Sequence, residues 1–303
     1  MIKLDILLST KNDSIVLKRQ IEALSKVKEY FNNLIISNDH SNIFNSEILD
    51  YYRVNFDFIQ LYSSDKCGMH DSYNYALSKS NGTHVLFISS DDVINFEYII
   101  AVSKYLNSSP NQPLICGLHN LIYKSYSNID SEHHVYYDSL SASQFVSPHC
   151  FLDLFKNESF LYPSGCSIIY RRDILVSLKG YRKELGLYSD IFPFIIIALR
   201  YGFYFINLPA SNVYIRRTSY NVLTAKNFKT RYLNSLEFLE ALLQFPDLKS
   251  KFIYASVGKI APLHITKLFR SRYYQLLGPF FSFKFLIVEM LGILSNFKYL
   301  IKK

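Results

Sequence analysis

Residues 65–92, DKCGMHDSYNYALSKSNGTHVLFISSDD, read as turn, helix, turn, strand and acidic exit. Gly68 lets the chain turn after Asp65 and Lys66, and Tyr73, Ala76, Leu77 and Ser80 recur at helical spacing until Asn81-Gly82 stops the helix. Val85, Leu86, Phe87 and Ile88 follow without a polar break, the composition of a strand covered on both faces, as in a parallel sheet. Ser89-Ser90-Asp91-Asp92 falls at its carboxyl end, where open α/β sheets bind ligands. Adjacent carboxylates there suit a hard divalent cation, Mg²⁺ or Mn²⁺, whose shell is completed by substrate phosphates and waters. Taken alone, Asp91 and Asp92 read more readily as a solvated turn before the helix starting near Asn95 than as a metal site.

Upstream, residues 4–9 form an apolar strand that exits into Thr10-Lys11-Asn12-Asp13. Ile15, Leu17, Ile21, Leu24 and Val27 supply a helical face, and residues 33–37 make a second strand that exits into Asn38-Asp39-His40-Ser41. Strand, helix, strand with polar exits predicts a parallel βαβ start. Residues 54–61 are expected to be a third strand, 96–106 a helix ended by Pro110 and Pro113, and 114–123 a further strand. Residues 125–148 are polar and read as irregular; their tandem His133-His134 reads as a solvated turn, because adjacent side chains diverge in regular structure. Beyond them, apolar residues 167–170 lead into Arg171-Arg172-Asp173, a helix that Gly180 closes, and then Ser189-Asp190 before a helix at 191–201.

A chain of 303 residues with 49% hydrophobic and 19% charged residues can bury a large core and is not disordered. Four cysteines without C-x-x-C spacing, and an amino terminus that leads straight into a strand, predict reduced thiols in a cytoplasmic protein. The net charge of +8 is uneven: residues 216–303 hold 15 Lys and Arg against 4 Asp and Glu, and the first 215 hold 18 against 21. One end of the molecule therefore suits an anionic surface. A nucleic-acid binder would carry its charge on the folded domain, which here is net acidic. No G-x-G occurs, which argues against dinucleotide and P-loop sites and against a sugar nucleotidyltransferase.

Four motifs in order resemble the family 2 glycosyltransferases of GT-A fold. Asp65-Lys66-Cys67-Gly68 with Asp71, Asn74 and Ala76, followed by a strand and Ser-Asp-Asp, resembles the D-K-G-x-Y-D-A-M-N and N-S-D-D elements, with Cys67 inserted and Ser89 in place of the first acid of D-x-D. T-K-N-D resembles the opening T-Y-N, and S-N-D-H-S resembles D-D-G-S. Gly180-Tyr181 and Ser189-Asp190 resemble the acceptor-side G-G-F/Y and S-D elements, and residues 213–218 the late Y-x-R/H segment. The resemblance implies an open, mostly parallel sheet with helices on both faces. It also implies nucleotide contacts from Thr10, Asn12, Asp39, Asp65, Lys66, Gly68, Asn74, Asp91, Arg216 and Arg217, a Mn²⁺ or Mg²⁺ site at Asp91 and Asp92, and Asp190 as general base. Read singly, Thr10 and Asn12 are also helix caps, Asp39 a turn residue, Asp190 the cap of the helix at 191–201, and the arginines solvated charges.

The expected organisation is a catalytic domain over 1–220, divided into a nucleotide-binding half at 1–110 and an acceptor-side half at 111–220, with a basic, aromatic-rich helical extension at 221–303. The expected reaction moves a hexosyl or N-acetylhexosaminyl group, with inversion, from a nucleotide-diphosphate sugar such as a UDP-sugar to a saccharide or polyprenyl-diphosphate-linked acceptor in surface-polysaccharide assembly. Lys267, Arg270 and Arg272 before the apolar 273–297, with Lys298, Lys302 and Lys303 after it, suit an anionic leaflet on the inner face of the cell membrane. A catalytically degenerate binding subunit of the same fold is the alternative that the missing first acid keeps open.

Overall fold

The computed structural model describes residues 3–15, 17–65, 68–124, 129–135, 140–156, 163–215, 227–255 and 257. Strands β1 (Leu4–Thr10), β2 (Asn33–Asn38), β3 (Ile59–Ser63) and β4 (His84–Ser89) alternate with helices α1 (Leu17–Ser25), α2 (Ile43–Asn55) and α3 (Met69–Lys79). These four strands lie in the order β3-β2-β1-β4 and are parallel throughout. Register places Ser9 beside both Ser37 and Ser89, and Asn38 beside Ser63, so the four polar exits share one sheet edge.

The unbroken apolar runs follow from burial on two sides. Leu7, Ile35, Val85 and Phe87 enter one core, while Ile6, Leu8, Leu34, Ile36, Leu86 and Ile88 enter the other. Successive strand side chains point to opposite faces, so both faces must be apolar when helices cover both.

After β5 (Val93–Ile94) and α4 (Phe96–Ser108) the sheet continues through β6 (Leu114–Lys124), β7 (Ile129–Val135), β8 (Gln144–Val146), β9 (Ile168–Arg171) and β10 (Phe203–Ile215). β9 inserts antiparallel between β4 and β6, joining the two halves, and β10 runs parallel to β6. Helices α5 (Pro148–Lys156), α6 (Arg172–Ser177) and α7 (Ile191–Tyr201) complete this half. In α7 every residue from Ile191 to Leu199 is buried.

Two expected elements are corrected. The strand expected at 54–61 begins only at Ile59, because α2 runs on to Asn55, whose side-chain amide donates to the Tyr51 carbonyl, and Phe56 closes the helix through the Tyr52 carbonyl. The alternating Val54, Phe56 and Phe58 imitate a strand, but Phe56 and Phe58 pack edge to face beside Tyr52. The polar stretch at 125–148 holds two strands, β7 and β8, each added antiparallel to a longer one. A strand supported from one side needs little apolar sequence, so its polarity concealed it. His133 and His134 lie in β7, opposite Leu121 and Asn120.

Residues assigned from sequence to the C-terminal extension share the main core. Phe238, Leu239, Ala241 and Leu242 of the helix Phe228–Leu243, and Phe252 and Ala255 of the helix Lys249–Ala255, cluster with Phe192, Ile195 and Leu199. The expected membrane-binding stretch at 267–303 lies outside the described residues. Among the described residues no helix is long and apolar enough to cross a membrane.

At the edge opposite the polar exits, the fully buried Asp5 gathers the turns. Its carboxylate accepts from the side chains of Asn32, Asn33 and Ser80 and from the amides of Asn81 and Gly82. A Cβ at Gly82 would meet the Lys3 carbonyl at 2.8 Å and the Asp5 carboxylate at 2.9 Å, so only glycine brings its amide this close. Replacing Asp5 with Ala strands these donors in a dry site, with an expected loss of roughly 3 kcal/mol in chemical denaturation.

Candidate active site

The shared edge of β1, β2 and β4 forms a polar cradle. Asp39, 5% exposed, sits at its base. Both its carboxylate oxygens accept from the Gly68 amide at 3.1 Å, and the Lys11 ammonium stands 4.0 Å away. Gly68 precedes α3 with φ of 110°, a conformation that L side chains rarely adopt. Thr10 is buried in the cradle, its carbonyl accepts from the Asp39 amide, and its hydroxyl has no partner among the described residues. Asn12 takes the left-handed conformation, φ 59°, and its side-chain oxygen accepts from Asn42 at the start of α2, while its amide donates to Ser41. Asn12 thus closes the β1 exit against the β2 exit and does not cap α1. Asp65 is exposed beside the cradle; Lys66, Arg216 and Arg217 lie outside the described residues.

Asn74 faces elsewhere. Its side-chain amide donates to the Tyr181 carbonyl at 2.7 Å and its oxygen accepts from the Tyr181 amide at 2.9 Å. This is a backbone-mimicking clamp between α3 and the turn after α6.

The acids at the β4 exit differ sharply. Asp92 is 7% exposed; its Oδ1 accepts from the Tyr214 amide at 2.9 Å and its Oδ2 from the Cys166 thiol at 3.1 Å. Burial, with Asp92 beside it, pushes the Cys166 thiol up, which keeps the proton on sulfur for this bond. Asp91 is half-buried, and the Ser89 hydroxyl donates to it at 2.6 Å. Ser90 donates to Asp13, tying this exit to that of β1.

A cavity of about 560 Å³ opens beside these acids. Asp91, Asp92, His119, Cys166, Tyr181 and Asp190 all contribute to its lining. Its volume lies within the range of small-ligand sites. Phe87 and Tyr181 stack at 4.2 Å beneath it, and Tyr73 meets both edge-on. His119 is buried, its Nδ1 has no hydrogen-bond partner among the described residues, and desolvation lowers its pKa to about 4. Cys166 and His119 lacked any sequence signal beyond polar atoms in apolar surroundings.

Asp190 caps α7 and lines the cavity. It begins α7, where its Oδ1 accepts from the Ile191 amide at 2.9 Å. It also lines the cavity, with its backbone carbonyl held by the Tyr170 hydroxyl at 2.9 Å. Desolvation raises its pKa to about 6, opposed by hydrogen bonds from backbone amides including those of Ile191 and Gly165. A Cβ on Gly165 would lie 3.1 Å from the Asp190 Oδ2, so glycine keeps that side clear.

A family model described as "Glycosyl transferase family 2" matches residues 5–178. The chain belongs to this family. Its fold is that of the GT-A glycosyltransferases. S. aureus TarS 1-349 in complex with UDP superposes with a TM-score of 0.58 at 16% identity, over 90% of this chain and 73% of that one. The same TarS fragment in complex with UDP-GlcNAc gives 0.56 at 15% identity, over 91% and 87%. The mannosyltransferase PcManGT from Pyrobaculum calidifontis, in complex with GDP-Man and Mn²⁺, gives 0.55 at 12% identity, over 97% and 80%. No curated protein matches by sequence.

For this family 2 chain the cation question turns on its own donors. Among the described residues no three His, Cys, Asp or Glu side chains converge as a metal site. Asp91 and Asp92 are hard oxygen donors of the right type, and one or two carboxylates suffice for a cation whose shell substrate phosphates complete. Asp92 already holds protein donors on both oxygens, which leaves Asp91 as the better-placed ligand.

The raised pKa of Asp190 sets a stability test. Between about pH 4 and 6 the folded state keeps a proton that the unfolded state has lost, so this group's contribution to stability falls as pH rises through that window. Asp190→Asn removes the titration. From pH 4 to pH 7.5 its unfolding free energy, measured by denaturant titration, is expected to gain roughly 2 kcal/mol relative to wild type.

Proposed function

We infer that the protein transfers a sugar from a nucleotide-diphosphate donor, a UDP-sugar in the first instance, to an acceptor hydroxyl, with inversion at the anomeric carbon. Two acids in one cavity, Asp91 at the β4 exit and Asp190, its pKa raised by burial, at the start of α7, support this most strongly. The nucleotide is proposed to lie in the cradle of Thr10, Asn12, Asp39 and Gly68, with Asp65, Lys66, Arg216 and Arg217 around it. The TarS complexes with UDP and UDP-GlcNAc and the PcManGT complex with GDP-Man and Mn²⁺ are consistent with that class of donor.

Asp190 removes the proton as the acceptor oxygen attacks the anomeric carbon, the bond from that carbon to the diphosphate oxygen breaks, and the nucleoside diphosphate leaves with the electron pair. A carboxylate that titrates near 6 is largely ionised at neutral pH yet basic enough to share a proton in the transition state. The Asn74 clamp ties α3 to the turn after α6. Mn²⁺ or Mg²⁺ at Asp91, with Asp92 behind it, supplies Lewis-acid neutralisation of the leaving diphosphate when bound.

The acceptor is proposed to be a saccharide or polyprenyl-diphosphate-linked saccharide at the inner face of a membrane. The basic and apolar sequence at 267–303 supports that placement. A binding-only subunit is the second reading, favoured by Ser89 in place of an acid and by the engagement of Asp92.

Release of nucleoside diphosphate from a donor panel, with and without Mn²⁺ or Mg²⁺, separates the two. Turnover is expected to rise with pH through about 6 as Asp190 ionises, to fall at least ~10²-fold in Asp190→Asn with donor affinity preserved, and to need more cation in Asp91→Asn. Donor binding without release in the wild type would favour the binding subunit.

A further inference from the structure

The segment carrying Asp190 is not held by its own helix alone. Between Gly180 and Asp190 the chain makes a kinked 3₁₀ stretch, Lys183–Tyr188, in which Gly186 takes φ 50° and ψ −112°. A Cβ there would lie 2.3 Å from the Asn234 side-chain oxygen, so the helix Phe228–Leu243 braces the kink from one side. The first turn of α3 braces it from the other. His70, 5% exposed, places Nε2 2.9 Å from the Ser189 hydroxyl and 3.3 Å from the Gly186 carbonyl. A carbonyl can only accept, so the Gly186 contact puts the ring proton on Nε2. Next in sequence, Asp71 accepts from the Lys183 ammonium at 2.7 Å, and one turn later Asn74 clamps Tyr181.

We propose that His70 is a positioning residue for the reaction: its Nε2–H fixes the Gly186 to Ser189 kink and so aims the carboxylate of Asp190 into the cavity. His70 touches no reacting atom in this arrangement. It acts through Ser189, the residue immediately before Asp190, and Ser189 is itself 4% exposed and hydrogen-bonded through its amide to the Gly186 carbonyl. The imidazole is buried, and desolvation lowers its pKa, with Asp71, Lys183 and Glu184 as the charged groups around it. It therefore works as a neutral donor at the pH where Asp190 is ionised. A misplacement of about 1 Å at a reacting group costs up to about 100-fold in rate, which makes such a remote contact kinetically visible.

The proposal rests on Asp190 being the base, and the test keeps the two apart. UDP-GlcNAc and GDP-Man are used as probes, with water as acceptor, and nucleoside diphosphate release is followed for wild type, Asp190→Asn, His70→Ala, His70→Gln and Ser189→Ala. His70→Ala and Ser189→Ala are each expected to lower kcat by about 10- to 100-fold with donor KM within about twofold, and the double variant to lose no more than either single one. His70→Gln, which returns an N–H at similar reach, is expected to recover most of the rate. Absent release in the wild type, or wild-type release in Asp190→Asn, would overturn the base assignment and this proposal with it. Loss in Asp190→Asn with an unchanged kcat in His70→Ala would overturn the role of His70 alone. So would equal losses in His70→Ala and His70→Gln when both melt at the wild-type temperature. If His70→Ala does not fold, the comparison of Ser189→Ala with wild type decides.

Discussion

Asp92 is a buried carboxylate that three separate parts of the chain must agree upon. It follows β4, accepts a hydrogen bond from the Cys166 thiol just before β9, and accepts another from the Tyr214 amide near the end of β10. A polar group 7% exposed is costly unless hydrogen bonds satisfy it, so the site is stable only when all three elements arrive together. That requirement aligns the two halves of the sheet at the mouth of the cavity. Its neighbour Asp91 is half-buried, accepts from the Ser89 hydroxyl and lines the same cavity.

The cavity wall is apolar for a related reason. Tyr73, Phe87 and Tyr181 come from α3, β4 and the turn after α6, and their rings stack and meet edge-on in the cavity that Asp91 and Asp190 also line. Such a floor excludes water, raises the pKa of Asp190 and strengthens each hydrogen bond around it. The same helix α3 carries Gly68 at its start, beside Asp39, and Asn74 on the face toward Tyr181. It thereby connects the polar cradle to the turn after α6 through one element.

The nucleotide half was legible because its signals are local. An apolar run ending in polar residues, repeated for β1, β2 and β4, is enough to place three exits on one edge once the strands are parallel. Thr10, Asp39 and Asp91 stand at those exits. Asn74 belonged to a motif but its partner, Tyr181, is 107 residues away, and nothing in either segment alone announces the pairing. β7 and β8 escaped because strands held from one side carry no apolar stripe, and the strand expected at 54–61 was overextended because three alternating apolar residues occur at the end of a helix as well.

What the sequence determined by itself was the order of helices and strands in the first half, the burial of both faces of its sheet, and the residue types offered at each exit. Hydrophobic periodicity and turn chemistry are short-range properties, and they act before any long-range contact exists. Tertiary structure alone decided which polar residues meet. It placed β9 antiparallel between β4 and β6, brought Cys166 to Asp92 and His70 to Ser189, and lowered the local polarity around Asp190 until its carboxyl titrates near 6. Those outcomes depend on desolvation and on contacts between residues far apart in the chain, and neither quantity is a property of any one stretch.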